Sequence, residues 1–170
     1  LGSVEERIVR LRVGGDVKIK TLFIRNVGGY RRTVLPPVEM AVLKACKRIF
    51  CKFAIPAGLD IWEATFEITY YFRIRTGYPS EPALVYETAP WQKTGLNCDN
   101  APANGALLGS IDMSNEPSAL LDLTFDLSMW AESKAGATVS LALPGVDFAN
   151  RANGHRCYLT ESARLVILAK

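Results

Sequence analysis

The chain has few residues of the kinds that most often bind metals or carry out nucleophilic chemistry. It has one histidine, His155, and four scattered cysteines, Cys46, Cys51, Cys98 and Cys157. Neither the gap from Cys46 to Cys51 nor that from His155 to Cys157 has the paired spacing typical of structural zinc sites. The sequence therefore predicts no metal and no cofactor, and it predicts free, mostly buried thiols in a reducing compartment.

Catalytic signatures are also missing. No Gly-x-Ser-x-Gly elbow, phosphate loop or dinucleotide fingerprint occurs. His155 and Cys157 are the one candidate nucleophile pair, because positions i and i+2 of a strand share a face, but a surface histidine beside a structural cysteine is the favoured interpretation. Glu63 and Glu67 are about 13 Å apart by strand rise, too far for a paired-carboxylate site. We expect a protein that is not an enzyme.

No run of 18 or more apolar residues occurs, so the sequence predicts no membrane span. It has no secretory signal at its start and no Asn-x-Ser/Thr site, which disfavours a secreted glycoprotein. With 170 residues, 49% of them hydrophobic and 22% charged, the composition is typical of one globular domain spanning 1–170. Residues 1–3, Leu-Gly-Ser, resemble the remnant of a cleaved tag, so a natural segment upstream is expected to be missing.

The clearest structural signal is the stretch 61–75, IWEATFEITYYFRIR. Every second residue from Trp62 to Ile74 is uncharged and largely apolar, whereas Glu63, Glu67 and Arg73 lie among the intervening positions. This period of two predicts a strand with one buried and one solvated face, long enough that a bend or bulge is expected within it.

Further stretches alternate in the same way. We expect 4–13 and 17–25 to pair as a hairpin around Gly14-Gly15. Residues 47–55 are expected to pair with 61–75, residues 121–130 with 138–143, and 158–168 to form the last strand. In 121–130, the alternation assigns Met129 to the interior. Residues 37–46 begin at the second proline of Pro36-Pro37, and proline is tolerated in the first turn of a helix, so we expect one short helix there.

Residues 76–118 form a long connection rich in proline, glycine and asparagine, with strand-like segments only at 83–88 and 106–111. Loops of this length in a compact domain are usually functional or poorly ordered. Seven to nine strands with this excursion predict an all-β, antiparallel β-sandwich.

Charge is distributed unevenly. Residues 1–75 hold fourteen Lys and Arg against seven Asp and Glu, residues 76–149 hold two against nine, and 150–170 hold four against one. The chain can therefore fold into a molecule whose ends differ in sign, or the signs can intersperse in space. Basic clusters neutralise phosphates, and Tyr30 beside Arg31 and Arg32 is suited to stacking a base.

The order of these elements resembles the single jelly-roll capsid proteins of small positive-strand RNA plant viruses, bromovirus-like and cucumovirus-like shells in particular. The resemblance rests on Tyr30-Arg31-Arg32-Thr33-Val34-Leu35-Pro36 leading into the strands at 49–55 and 62–74, and on the strands around 120–130 and 139–143. It covers about half of the chain. Those proteins carry an arginine-rich N-terminal arm that this sequence lacks, and its segment after Pro144 is longer than their pattern.

The resemblance implies a jelly-roll sandwich that assembles with copies of itself in a virion or the host cytoplasm and contacts single-stranded RNA. Its implied RNA-binding residues are Arg7, Arg10, Arg12, Lys18, Lys20, Arg31 and Arg32. Trp91, Trp130 and Phe148, if exposed, are candidates for subunit or ligand contacts.

Two other functions remain open. A sandwich that binds a host receptor or a glycan would use the 76–118 loops, with Trp91, Tyr78 and Tyr86 as stacking platforms. A viral movement protein on a related sandwich would bind single strands cooperatively without forming a closed shell.

Overall fold

The computed structural model of the chain contains two antiparallel sheets that pack face to face and a separate two-stranded hairpin. It describes residues 3–13, 16–26, 30–72, 82–113, 119–145 and 157–170, and for 3–13 and 16–26 the description is of the backbone alone. The described elements are β1 (Ser3–Val13), β2 (Asp16–Asn26), β3 (Arg31–Leu35), β4 (Glu39–Leu43), β5 (Arg48–Ala54), β6 (Ile61–Phe72), β7 (Ala83–Glu87), β8 (Leu107–Ile111), β9 (Ala119–Asp126), α1 (Ser128–Ala131), β10 (Thr138–Pro144) and β11 (Cys157–Ala169).

The strand order of the two sheets is that of a jelly roll. One sheet has the order β3-β11-β6-β9 and the other β4-β5-β10-β7-β8, with antiparallel pairing throughout. With β4 set aside as an added edge strand, four strands face four in the order that two interlocking Greek keys produce. The predicted all-β sandwich of jelly-roll type is confirmed. The described residues contain eleven strands, more than the seven to nine expected.

Of the three predicted hairpins, only the first is present. β1 and β2 pair in register from Ser3 opposite Asn26 to Val13 opposite Asp16. The other two hairpins were wrong, because β5 and β6 lie in different sheets, as do β9 and β10. Alternation identifies a strand with one buried face, but both sheets of a sandwich bury one face, so the pattern does not reveal which strands pair.

The prediction of a short helix at 37–46 was also wrong. This region forms the edge strand β4 and a turn at 44–47. In the register with β5, Met40 lies opposite Cys51 and Val42 opposite Ile49, while Ala41 lies opposite Phe50. Pairing with β5 satisfies the backbone and packs apolar side chains on both faces of β4, which outweighs the local preference of the sequence for a helix.

The core lies between the sheets and contains most of the described residues that the alternation assigned to it, Trp62 and Met129 excepted. Phe66 of β6 is fully buried and packs edge-to-face on Phe53 of β5, with ring centroids 5.9 Å apart. It also contacts Phe125 of β9 at 6.1 Å, with the ring planes tilted by 31°. Leu141 of β10 and Leu165 of β11 are fully buried in the same cluster. Each aromatic or large aliphatic side chain buried in this way stabilises the fold by about 1.5–3 kcal/mol relative to exposure.

β9 ends earlier than the alternation indicates. Asp126 Oδ1 accepts hydrogen bonds from the backbone N–H and the hydroxyl of Ser128, at 3.0 and 2.6 Å, and these contacts turn the chain into α1. Ser128 Oγ also accepts from the N–H of Ala64 at 3.0 Å, which holds α1 against β6. Met129, predicted to be interior, is therefore 57% exposed.

Candidate nucleic-acid interface

Five of the seven predicted RNA-binding residues lie on the β1–β2 hairpin. In its register, Arg10 and Arg12 fall on one face of the ribbon and Arg7, Lys18 and Lys20 on the other, because directly opposed residues of an antiparallel pair share a face. The register therefore assigns these five positions to both faces of the hairpin. Their side chains lie outside the described part of the chain.

The other two, Arg31 and Arg32, begin the edge strand β3 and are exposed. β3 pairs only with β11, where Ala169 lies opposite Arg31 and Leu168 opposite Arg32. Since β2 ends at Asn26, the hairpin joins β3 within four residues of Tyr30, a span of at most about 14 Å between Cα atoms. The base of the hairpin and the two arginines therefore belong to one end of the molecule.

An aromatic pair lies beside these arginines. The rings of Tyr30 and Trp62 meet edge-to-face, with centroids 5.8 Å apart and planes at 65°, and both residues are half-buried. The Lys170 Nζ atom is 5.9 Å from the centre of the Tyr30 ring, and the Lys170 backbone exchanges two hydrogen bonds of 3.0 Å with Asp60. The structure thus brings together Tyr30, Arg31 and Arg32, which the sequence suggested, with Trp62 and Lys170, which it did not.

Trp62 was missed because a bulge moves it. The ladder between β6 and β11 pairs Glu63 with Leu168 and Ile61 with Ala169, so Trp62 is an extra residue with no partner opposite. The regular alternation assigned Trp62 to the buried face with Ala64. The length of the strand signalled that a bulge was needed, but not where it would lie.

The outer face of the four-stranded sheet is predominantly acidic rather than basic. Arg164 Nε pairs with Glu67 Oε2 at 2.5 Å across β11 and β6, and Thr69 Oγ1 donates to Asp122 Oδ1 at 2.8 Å. Next to them, the ladder is interrupted: four residues of β11 lie between the pairs Leu159–Thr69 and Arg164–Glu67, opposite Ile68 alone on β6. This second bulge borders a groove of about 630 Å³, lined in part by Val34, Glu161 and Ser162.

Residues 88–106 fold over the outer face of the five-stranded sheet, where a disulfide joins Cys98 to Cys46 in the turn after β4. The expectation of free thiols was therefore wrong for these two cysteines, because the fold brings together residues 52 positions apart in the sequence. It is correct for Cys51, which is free and buried. The side chain of Cys157 lies outside the described part of the chain.

Trp91 anchors this loop. It is 5% exposed and forms a second small core with Phe50, Ala41 and Ala142, with the Phe50 ring edge-to-face at 5.7 Å. Lys52 Nζ lies 4.4 Å from the centre of the Trp91 ring and donates to the Trp91 carbonyl at 2.7 Å. Trp91 was a candidate for external contacts on the condition that it is exposed, and within this chain the condition is not met.

Two charged side chains complete the attachment of the loop. Lys52 donates to Glu39 Oε2 at 2.9 Å, and this hydrogen bond lowers the pKa of Glu39 below its ordinary value. Arg48 donates to the carbonyl of Pro102 at 2.7 Å and to Asn104 Oδ1 at 2.6 Å, and partial burial lowers its pKa. A small pocket of about 280 Å³ remains in the loop, lined by residues that include Pro90, Gln92, Thr94 and Asn100.

The two other aromatic candidates have different outcomes. Trp130 of α1 is half-buried, its Nε1–H donates to Glu87, and Lys134 Nζ lies 5.6 Å from the centre of its ring. Phe148 lies outside the described residues, as do His155 and Tyr78. Tyr86 is half-buried on β7.

Apolar side chains are exposed on all four edge strands of the two sheets. Val34 of β3 is 42% exposed, Val42 of β4 37%, Leu107 of β8 38% and Leu120 of β9 61%. Edge strands also carry unpaired backbone groups that can pair with another chain. This combination makes the sheet edges candidate self-association surfaces.

The chemistry available to the described residues is limited. They contain no group of three or more His, Cys, Asp and Glu placed to hold a metal ion, and no helix among them is long and apolar enough to cross a membrane. Burial raises the pKa of the Cys51 thiol to about 12, so this thiol is not a nucleophile at neutral pH. No protein-family model matches the chain, and no curated protein matches its sequence significantly.

Proposed function

We propose that this chain is a shell-forming capsid protein that associates with copies of itself through its sheet edges and contacts single-stranded RNA through its basic end. The observation that carries the proposal is a jelly-roll sandwich with an exposed apolar side chain on every edge strand of its two sheets. Jelly rolls also occur in lectins and cupins, so the fold alone does not decide the function.

The exposed edges support self-association. Edge strands β3 and β9 carry the exposed charges Arg31, Arg32 and Asp122, which oppose pairing with other chains, but Leu120 and Val42 still leave apolar surface beside unpaired backbone. The Cys46–Cys98 disulfide is compatible with this role, since disulfides persist on virion surfaces as well as in secreted proteins.

The arrangement of charge supports RNA as the second partner. Arg31 and Arg32 are exposed at the end of the sandwich where the basic hairpin joins it, and the acidic groups Glu67 and Asp122 lie on the outer face of the sheet. Guanidinium groups in exposed clusters bind phosphates with strong salt dependence and little sequence preference.

The test is the particle mass of the purified protein, measured by light scattering at low and high salt, with and without single-stranded RNA. If the proposal is correct, the protein should form large, uniform assemblies or closed rings, and RNA should promote them at low salt. A monomer or small oligomer of unchanged mass under all four conditions would contradict it. Cooperative coating of RNA without closed particles would indicate a movement protein instead.

A second candidate function uses the 88–106 loop. The disulfide and the Lys52 and Arg48 contacts attach this loop to the sheet, and Gln92 and Thr94 are exposed polar residues beside its pocket. These features favour a receptor- or glycan-binding sandwich, with the polar groups rather than Trp91 as the contacts. A glycan screen in which Gln92→Ala abolishes a positive signal would support this function over the shell.

A further inference from the structure

Tyr30 and Trp62 form an aromatic pair whose position is not explained by the packing of the sandwich. Neither residue packs against either of the two hydrophobic clusters of the described residues, although both side chains are large. We propose that this pair is a base-stacking subsite for unpaired nucleotides, flanked by Arg31, Arg32 and Lys170. The inference rests on the proposed function, in which single-stranded RNA is the partner.

The bulge in β6 is the structural feature that removes Trp62 from the core and places it beside Tyr30. In a regular strand Trp62 would share the inner face with Ala64 and Phe66, which are fully buried. The extra residue in the ladder instead leaves Trp62 half-buried next to Tyr30. Bulges commonly redirect a side chain in this way, and they are frequent at functional sites.

The charges around the pair select a nucleic acid. Arg31 and Arg32 follow Tyr30 directly and are exposed, and the ammonium group of Lys170 lies over the Tyr30 ring. Aromatic rings bordered by cations recognise the bases and phosphates of single strands together, since every base offers a flat face. Two carboxylates, those of Asp60 and Glu63, lie at the same end of the sandwich. The backbone of Asp60 forms hydrogen bonds with the backbone of Lys170.

The subsite is specific for unpaired nucleotides rather than duplex RNA. In an A-form helix the base faces are stacked on one another, so the rings could contact only sugars and phosphates. A single base stacked on an aromatic side chain strengthens binding by about tenfold to a hundredfold. That contribution depends on the base and can be separated from the salt-dependent contribution of the phosphates.

The experiment compares two fluorescent oligonucleotides with the same sugar–phosphate backbone, oligouridylate and its abasic counterpart, by anisotropy titration of the whole chain over a range of salt concentrations. Wild-type protein should bind the abasic strand about tenfold or more weakly. Tyr30→Ala and Trp62→Ala should remove this preference without changing the dependence on salt, and Tyr30→Phe should retain it. Tyr86→Ala, which alters a half-buried tyrosine of the other sheet, is the matched control and should change neither affinity.

Circular dichroism identifies variants that fail to fold. If such variants are excluded, the comparison of the two oligonucleotides on the wild-type protein still tests the subsite. Equal, salt-dependent binding of both strands by the wild type, or a preference that survives in folded Tyr30→Ala, would overturn the subsite and leave RNA as a partner. Binding of neither strand would overturn both the subsite and the RNA contact of the proposed function.

Discussion

At Gly109 of β8 the two sheets come too close for any larger residue. A Cβ atom added there would lie 2.8 Å from Cδ1 of Phe125, whose ring is 2% exposed and packs on Phe66. Gly109→Ala should therefore lower the free energy of unfolding by about 1–3 kcal/mol, the usual cost of overpacking a core. Urea denaturation followed by circular dichroism measures the change.

Leu107→Ala is the matched control for this substitution, because Leu107 lies on the same strand and is 38% exposed. It should change stability by less than about 0.5 kcal/mol, as surface substitutions usually do. Equal stability of Gly109→Ala and the wild type would mean that the sheets separate easily at this point, contrary to the packing described.

Cys51 gives a second prediction for a single residue. Its thiol is buried between the sheets, and the burial that raises its pKa to about 12 also keeps reagents away. The peptide containing Cys51 should remain unmodified by iodoacetamide at pH 8 in the native protein and should react fully in denaturant. Mass spectrometry of the digested protein makes the comparison, and rapid labelling without denaturant would contradict the assigned burial.

Among larger elements, the 88–106 loop depends on a few strong contacts. The disulfide closes a loop between positions 52 apart, and a closure of this size typically stabilises a fold by about 2–4 kcal/mol. A reducing agent should therefore lower the melting temperature of the wild type and make the 88–106 segment sensitive to proteases. Replacement of Cys46 and Cys98 together by serine should have the same effect.

Reductant should have no further effect on that double variant, which serves as the control. Without the disulfide, the contacts of Lys52 and Arg48 should hold the loop less firmly, so we expect local opening that exposes Trp91 while the sandwich remains folded. Tryptophan fluorescence reports this opening. An unchanged protease pattern and melting temperature on reduction would show that the loop does not need the disulfide.

The bulge in β11 yields a prediction about one hydrogen-bonded group. Ser162 Oγ accepts from the N–H of Thr69 at 2.8 Å and donates to the carbonyl of Leu159 at 2.5 Å, which replaces ladder bonds that the bulge interrupts. Ser162→Ala should lower the free energy of unfolding by about 1–3 kcal/mol, because the Thr69 N–H loses its partner. Thr160→Ala at the same bulge should cost less, and a reversed order would contradict this role of Ser162.

The strands were more predictable from the sequence than the way in which they pair. Alternation located β6, β10 and β11 and most of their buried residues, since a half-buried strand imposes a period of two wherever it lies. Alternation did not show that the chain passes from one sheet to the other after β5 and after β9. Nor did it show that Cys46 pairs with Cys98, because both features depend on contacts between distant parts of the chain. Phe50 illustrates the limit. Its neighbours Ile49 and Cys51 face the core between the sheets, and Phe50 is nevertheless fully buried on the opposite face of β5 because Trp91 of the 88–106 loop covers it.

At the scale of the whole molecule, the candidate RNA surface was likewise only partly predictable from the sequence. Tyr30, Arg31 and Arg32 are adjacent in sequence and could be proposed from it. Trp62 and Lys170 join them only through the bulge and the pairing of β11 with β6. The charge asymmetry was visible in the sequence, but the sequence did not show that Arg31 and Arg32 would lie in the same four-stranded sheet as Glu67 and Asp122.

The last prediction concerns the proposed self-association through the sheet edges. Leu120 is the most exposed apolar side chain on an edge strand, and a lysine at this position would place a charge in any contact between edges of β9. Loss of a buried leucine contact costs about 1.5–3 kcal/mol, so Leu120→Lys should raise the protein concentration required for assembly at least tenfold. Met129→Lys makes the same change at a residue 57% exposed on α1 rather than on an edge, and should leave assembly unchanged. Light scattering against concentration distinguishes the two variants. If both inhibit assembly equally, added positive charge rather than the β9 edge is responsible, and if neither does, the contact lies on another edge of the sandwich.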